Sequence, residues 1–259
     1  MNERNVILRE EGAVAHITIN REKALNALNS SVMIRLEEIF SKLEDDDEVS
    51  VIVIAGAGEK AFVAGADVTE IKEAGGKRTE LIKRGQEIIS KIRNSSKVVI
   101  AAVNGFALGG GCELALACDI RIASESARFG FPEVKLGLMP GYGGTQLLPR
   151  LIGVGGAKCV ILTGDMLTAA EAFQFGLVEK VCPRDRLMEE TNALAKRIAA
   201  NGPFAVRACK RAINSGADLS FDGALKLELE EYDKVAHTKD AEEGIAAFLE
   251  KRKPTFKGK

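Results

Sequence analysis

The sequence is poor in the residues that most metal and nucleophile chemistry requires. Its 259 residues include two histidines, His16 and His237, five cysteines and no tryptophan. Cys112, Cys118, Cys159, Cys182 and Cys209 form no C-x-x-C pair, so neither a zinc site nor a Cys–His nucleophile is well supplied. The five thiols are expected to be small buried side chains in a reducing compartment. There is no G-x-S-x-G elbow, which argues against a Ser–His–Asp site. No apolar run approaches the roughly 18 residues of a membrane helix, and the start, MNERNVILREEG, lacks the apolar core of a signal peptide. A cytoplasmic or similar soluble setting is expected, with no membrane partner. Neither sign of charge dominates: 36 basic residues face 37 acidic ones, so nothing steers the chain toward nucleic acid. Aromatic residues are only 5%, too few to point to a base-stacking surface.

What is present is an ordinary globular balance, 46% hydrophobic and 28% charged, at a length that supports one large domain or a domain with an appendage. Residues Val6–Arg9 and Val14–Ile19 flank Glu11-Gly12 and read as a hairpin. Asn29-Ser30 then opens SVMIRLEEIFSKL, a well-capped helix by its apolar spacing. The apolar runs at 49–55 and Val98–Val103 read as buried strands, with helical segments between them to about Asn94. A helix over Cys112–Cys118 and a short strand over Asp119–Ala123 follow. From Asp185 onward four helical stretches are divided by Asn201-Gly202-Pro203, Ser215-Gly216 and His237-Thr238. The expectation is an α/β core over residues 1–200 and a helical region over 201–259.

Within IAAVNGFALGGGCELALACDI (Ile100–Ile120) one carboxylate, Glu113, sits just after a run of three glycines. The glycines match neither G-x-G-x-x-G nor a G-K-[ST] loop. They leave a backbone that can approach a ligand closely at a helix N-terminus, a setting suited to a developing oxyanion. Glu113 could simply favour the helix dipole. Its i+3 and i+4 neighbours, Leu116 and Ala117, place it on an apolar face, where burial raises a carboxyl pKa. Glu133, in RFGFPEVKLGLMPGYGG, follows Pro132 in a stretch that reads as a shaped loop. Alone it could be a solvated loop acid. Two carboxylates in different surroundings can also divide acid and base duties. In KAFVAGADVTEI, Ala64-Gly65-Ala66 offers accessible backbone, and Asp67 with Glu70 forms a D-x-x-E variant of the capping box, so Asp67 reads as a helix cap.

Taken in order, AFVAGAD, AAVNGFALGGGCELALACDIRIAS and ARFGFPEVKLGLMPGYGGTQLLPRLIG resemble the crotonase (enoyl-CoA hydratase) superfamily. VAHITINREKALNALN and EGIAAFLEKRKPTF extend the resemblance nearly end to end. It implies a crotonase-like spiral of ββα units with a helical C-terminal trimerisation region, assembled as a trimer or a dimer of trimers. It also implies a coenzyme A thioester substrate; no metal and no redox cofactor are expected, because the ligand set for one is missing. By motif position, the N–H groups of Ala66 and Gly110 match the family's oxyanion hole. Glu113 matches the carboxylate that activates water, and Glu133 the one that handles the α-carbon proton. Ala64, Gly65, Asp67 and Val68 fall where the thioester and coenzyme A are bound. Tyr232 and Lys251 align with positions that meet the adenine and phosphate end, often across a subunit interface. For these two the plain alternatives are a half-buried helical aromatic and a solvated basic tail.

The activity implied is addition of water to a short- or medium-chain trans-2-enoyl-CoA. An isomerase or a thioester hydrolase on the same fold is the alternative, and a non-catalytic RNA-binding or scaffold member a further one. Isomerases of the family often manage with the second carboxylate alone, so the presence of Glu113 favours hydration. Two departures concern the pocket. Phe131 and Leu147 stand where many hydratases carry Gln and Arg, and Phe131 is expected to remove a polar neighbour of Glu133. The acyl pocket is expected in the 70–95 region.

Overall fold

The structure, a computed structural model, describes residues 5–259. Residues 1–4, part of the segment read as lacking a signal-peptide core, lie outside the described residues. Strands β1 (Val6–Glu11) and β2 (Val14–Ile19) form the expected antiparallel hairpin. Helix α1 (Ser30–Glu44) begins where its cap was read, with the Asn29 side chain accepting from Val32 N at 3.0 Å.

One plan then repeats: a long strand, a short strand, and helix. It gives β3 (Val51–Gly56), β4 (Ala61–Val63), α2 (Val68–Glu73) and α3 (Arg78–Arg93). The next turn gives β5 (Val98–Val103), β6 (Phe106–Leu108) and α4 (Gly110–Ala117). The third gives β7 (Ile120–Ser124), β8 (Arg128–Gly130), a 3-10 turn over Pro132–Leu136 and α5 (Gly144–Thr163). Two short elements, β9 (Met166–Thr168) and α6 (Ala169–Gln174), precede β10 (Lys180–Cys182). The chain ends in α7 (Leu187–Ala199), α8 (Pro203–Gly216), α9 (Phe221–Ala236) and α10 (Lys239–Leu249). This is the spiral of ββα units followed by helices.

Among the described residues the long strands form one sheet, ordered β1-β2-β3-β5-β7-β10, and the short ones a second, ordered β4-β6-β8-β9. From β2 to β10 the first sheet is parallel. Both of its faces are covered. Ile52, Ile54, Val99 and Ala101 join a core with Leu36, Ile39 and Phe40 of α1, whereas Val51, Val53, Ile100 and Ile122 pack with Leu187 and Ala195 of α7. Burial on both faces explains why these strands read as unbroken apolar runs rather than alternating ones. No helix among the described residues is long and apolar enough to cross a membrane.

Three details differ from the sequence reading. Helix α4 starts at Gly110 rather than Cys112; Gly109, at φ 48°, makes the sharp entry that a Cβ would disfavour. The stretch read as a loop around Glu133 contains β8, and Glu133 itself stands in the 3-10 turn with Pro132 at its first positions. The Asp67–Glu70 capping box is only half made. Asp67 accepts from Thr69 N at 3.2 Å, but Glu70 accepts from Ser30 N at 2.8 Å, tying α2 to the start of α1.

Candidate active site

Glu113 lies in the first turn of α4 and is 1% exposed. The helix holds it against the loop before α5, whose backbone turns two amides onto one carboxylate oxygen. Tyr142 N and Gly144 N donate to Glu113 Oε1 at 2.8 and 2.7 Å. Gly144 also permits the approach: a Cβ there would stand 2.5 Å from Phe131 Cε1 and 3.0 Å from Glu113 Oε1. Loss of water around Glu113 raises its pKa to about 7; the Gly144 and Tyr142 amides pull it down, and the Glu133 charge pushes it up.

Glu133 reaches the same place from the other side. Its Oε1 lies over Gly109, where a Cβ would be 2.5 Å away. Its Oε2 is buried with no hydrogen-bond partner in the protein, and burial raises the pKa of this acid as well. The two environments differ in kind. Burial raises both pKa values, but on Glu113 the Gly144 and Tyr142 amides partly offset it, whereas one oxygen of Glu133 has no partner in the protein.

Between the carboxylates and the β4–α2 connection are two amides with no structural task. In the parallel bridge of Leu28 with Ala66, Leu28 N donates to Gly65 O and Asp67 N donates to Leu28 O. That pattern leaves the Ala66 N–H pointing away from the bridge. Gly110 is the first residue of α4, so its N–H has no acceptor within the helix. The two backbones are adjacent: a Cβ on Gly110 would be 3.2 Å from Ala66 N. Gly111 makes the seating possible, because any Cβ there would collide with Val63 O of β4.

Ala66, Gly110, Glu113 and Glu133 all line one cavity of about 300 Å³, walled further by Ile71, Ile82, Met139 and Tyr142. The structure thus brings together the four residues that the sequence singled out for the reaction. Ile71, Arg78, Ile82 and Gln86 line it too, which brings the 70–95 region to the cavity. The loop of Leu138–Tyr142 contributes as much, and the Tyr142 and Gly144 amides to Glu113 were missed. The quoted PGYGG run was the available signal, since two turn residues close to a buried acid offer free N–H groups. Tyr142 is itself buried, with its ring against Gly85 of α3 and its pKa raised to about 12 by burial.

The remaining candidates lie elsewhere. Asp67 is a cap and an ion pair with Arg21 at 3.0 Å. Val68 is exposed next to it. Ala64 N donates to Leu25 O, and Gly65 O accepts from Leu28 N, so these two backbones are engaged in holding the loop. Tyr232, on α9, is 69% exposed rather than half-buried; its helix presents that face to solvent in the single chain. Lys251 is exposed just past α10 in a left-handed conformation, φ 56°. Neither lines the cavity. Phe131 is fully buried. Its ring edge lies against Gly144, which also stands next to Glu113 Oε1. Leu147 packs partly buried against the main core. Among the described residues no group of three or more His, Cys, Asp or Glu side chains is placed to hold a metal ion.

A spiral ββα core with one buried and one half-buried carboxylate opposite a pair of unused amides is an arrangement for acid–base work beside a carbonyl. The sequence profile of the enoyl-CoA hydratase/isomerase family matches residues 9–259, and the chain belongs to that family. It is 48% identical to the short-chain-enoyl-CoA hydratase of Clostridium acetobutylicum, over 96% of each chain. It is 46% identical to the crotonyl-CoA hydratase of Syntrophomonas wolfei, over 97% of each. Its fold superposes on the crystal structure of an enoyl-CoA hydratase from Bacillus anthracis with a TM-score of 0.96 at 43% identity, covering 98% of this chain and 100% of that one.

Proposed function

We propose that this protein is a hydro-lyase that adds water reversibly across the double bond of a short-chain trans-2-enoyl-CoA, giving the 3-hydroxyacyl-CoA. The observation that carries this is the shared cavity in which two carboxylates of unlike surroundings face the Ala66 and Gly110 amides. The names of the relatives support the same substrate class.

The thioester carbonyl accepts from Ala66 N and Gly110 N, which draws electron density from the conjugated double bond. Glu113, whose carboxylate form accepts from two amide donors, takes a proton from water as the water oxygen bonds to the β-carbon. The π electrons move toward the carbonyl, and the amide pair stabilises the enolate-like oxygen. Glu133, in its protonated form, delivers that proton to the α-carbon. One H and one OH are added, and no electron acceptor is needed. We infer no separate cofactor.

An isomerase would move one proton between two carbons, a task for a single carboxylate. Two carboxylates in one cavity favour hydration. Ala64, Gly65, Asp67 and Val68 would flank the thioester arm by their place beside Ala66. Residues 1–200 would form the catalytic core and 201–259 the oligomerisation region, as a trimer or a dimer of trimers. Support comes from the apolar surface of α9 and α10, where Phe221, Leu229 and Phe248 are exposed and would otherwise stay in water. Tyr232 and Lys251 would then meet coenzyme A from a neighbouring copy. Crotonyl-CoA with purified protein in ¹⁸O-water tests the reaction: loss of the conjugated thioester absorbance should accompany ¹⁸O in the product. Double-bond movement without ¹⁸O would refute it.

A further inference from the structure

The β4–α2 connection carries one of the two amides, yet it is a glycine-bearing loop that should be soft by itself. What fixes it is the segment between β2 and α1. Arg21 Nη1 donates to Ala27 O at 2.6 Å, and Nη2 donates to Asp67 Oδ2 at 3.0 Å. Both side chains of this ion pair are about four-fifths buried. Leu25 and Asn26, at φ 49° and 59°, form two successive left-handed residues, a conformation that non-glycine residues adopt only when their surroundings hold them there. Asn26 is fully buried, and its side-chain nitrogen donates to Ala57 O and Ala61 O at 2.9 and 2.8 Å while its oxygen accepts from Arg21 N at 3.0 Å.

The result is a template read in register by the active-site loop. Ala64 N goes to Leu25 O, Leu28 N to Gly65 O, and Asp67 N to Leu28 O. Of the amides at 64, 66 and 67, two are consumed by the template and the one at 66 is turned toward the cavity. We infer that Arg21, through its fork between Ala27 and Asp67, is a positioning residue that sets the direction of the Ala66 N–H toward the substrate carbonyl. Arg suits the task because its planar fork holds two acceptors at fixed geometry, which Lys does not. The inference rests on the hydratase reading for its consequence, but the geometry it concerns is independent of turnover.

Butyryl-CoA labelled with ¹³C at the carbonyl is the probe, since a saturated thioester has no double bond to hydrate. Its carbonyl stretch in the infrared falls as hydrogen bonds to the oxygen strengthen. Wild type should lower that frequency relative to free butyryl-CoA. Arg21→Met should recover part of the shift and lower kcat on crotonyl-CoA by about 10- to 100-fold, the range for a misdirected donor. KM should change by only a few fold, and the limbs of the pH–rate profile should stay in place because neither glutamate is touched. Arg21→Lys should fall between. Should Arg21→Met fail to fold, Asp67→Asn keeps the cap on Thr69 and breaks the ion pair, and it should move band and kcat the same way by less. A folded Arg21→Met, or a folded Asp67→Asn in its place, with native band and native kcat overturns the inference. A wild type that polarises the bound carbonyl but does not hydrate crotonyl-CoA overturns the hydratase reading instead, and the band comparison still decides the role of Arg21.

Discussion

Replacing Glu113 by glutamine separates what this side chain does for the reaction from what it does to the fold. Glutamine keeps the shape, and its amide oxygen can still accept from Tyr142 N and Gly144 N, which now donate to Glu113 Oε1 at 2.8 and 2.7 Å. Only the base is lost. Turnover should fall by about 10²–10⁴-fold, or about 3–5 kcal/mol of barrier, the usual worth of one positioned proton-transfer group. KM should hold. Stability should move the other way. The folded-state pKa of Glu113 is raised from an ordinary 4.5 to about 7, so between those values the folded protein binds more protons than the unfolded chain. Stability conferred by the protonated acid is therefore present below about pH 4.5 and lost as pH rises through about 7. The full difference is about 3 kcal/mol at 1.36 kcal/mol per pKa unit. Glutamine does not titrate. The variant should melt near wild type at pH 4.5 and roughly 5–10 °C above it at pH 8, by the usual Tm scaling for a chain of this size. Crotonyl-CoA turnover and thermal melts at both pH values are the assays. Near-native turnover would refute the base assignment, and a melting gap that does not widen with pH would refute the desolvation.

Glu133→Gln should lower turnover by about 10²–10⁴-fold for the complementary reason, and should suppress exchange of α-deuterium into a saturated acyl-CoA; exchange at the wild-type rate would move the proton donor elsewhere. In Glu113→Ala, by contrast, α-exchange should persist slowly through Glu133 while ¹⁸O incorporation disappears; loss of both would mean the glutamates do not divide the work. Gly111→Ala places a Cβ against Val63 O and should destabilise by about 1–3 kcal/mol or more, read by urea unfolding, whereas an unchanged midpoint would contradict the close packing of α4 on β4. Activity should survive exhaustive chelation, and recovery of lost activity by one added metal would overturn the metal-free chemistry.

Much of the scaffold was decided locally. The hairpin around Gly12, the Asn29 cap, the apolar runs of β3 and β5 and the four C-terminal helices all follow from periodicity and caps, which depend on residues a few positions apart. The three-residue strands β4, β6, β8 and β9 did not, because their ladder is made by segments as far apart as Ala61, Phe106, Arg128 and Thr168, and no period fits in three residues.

The active site divides along the same line. Glu113 and Glu133 were legible as acids in unusual company, and the motif resemblance named their roles along with those of Ala66 and Gly110. Their electrostatics were not legible. Whether a carboxylate is charged depends on donors and burial supplied by distant chain, here Tyr142 and Gly144 for Glu113 and nothing for one oxygen of Glu133. Glu70 made the limit plain: three residues from Asp67 in sequence, it bonds instead to Ser30, forty positions away. The sequence by itself determined which residue types could do the chemistry and where the chain would turn and coil. Only the tertiary structure decided which backbone N–H groups were consumed and which were left over, because each peptide group has one donor and its partner is chosen by the whole fold.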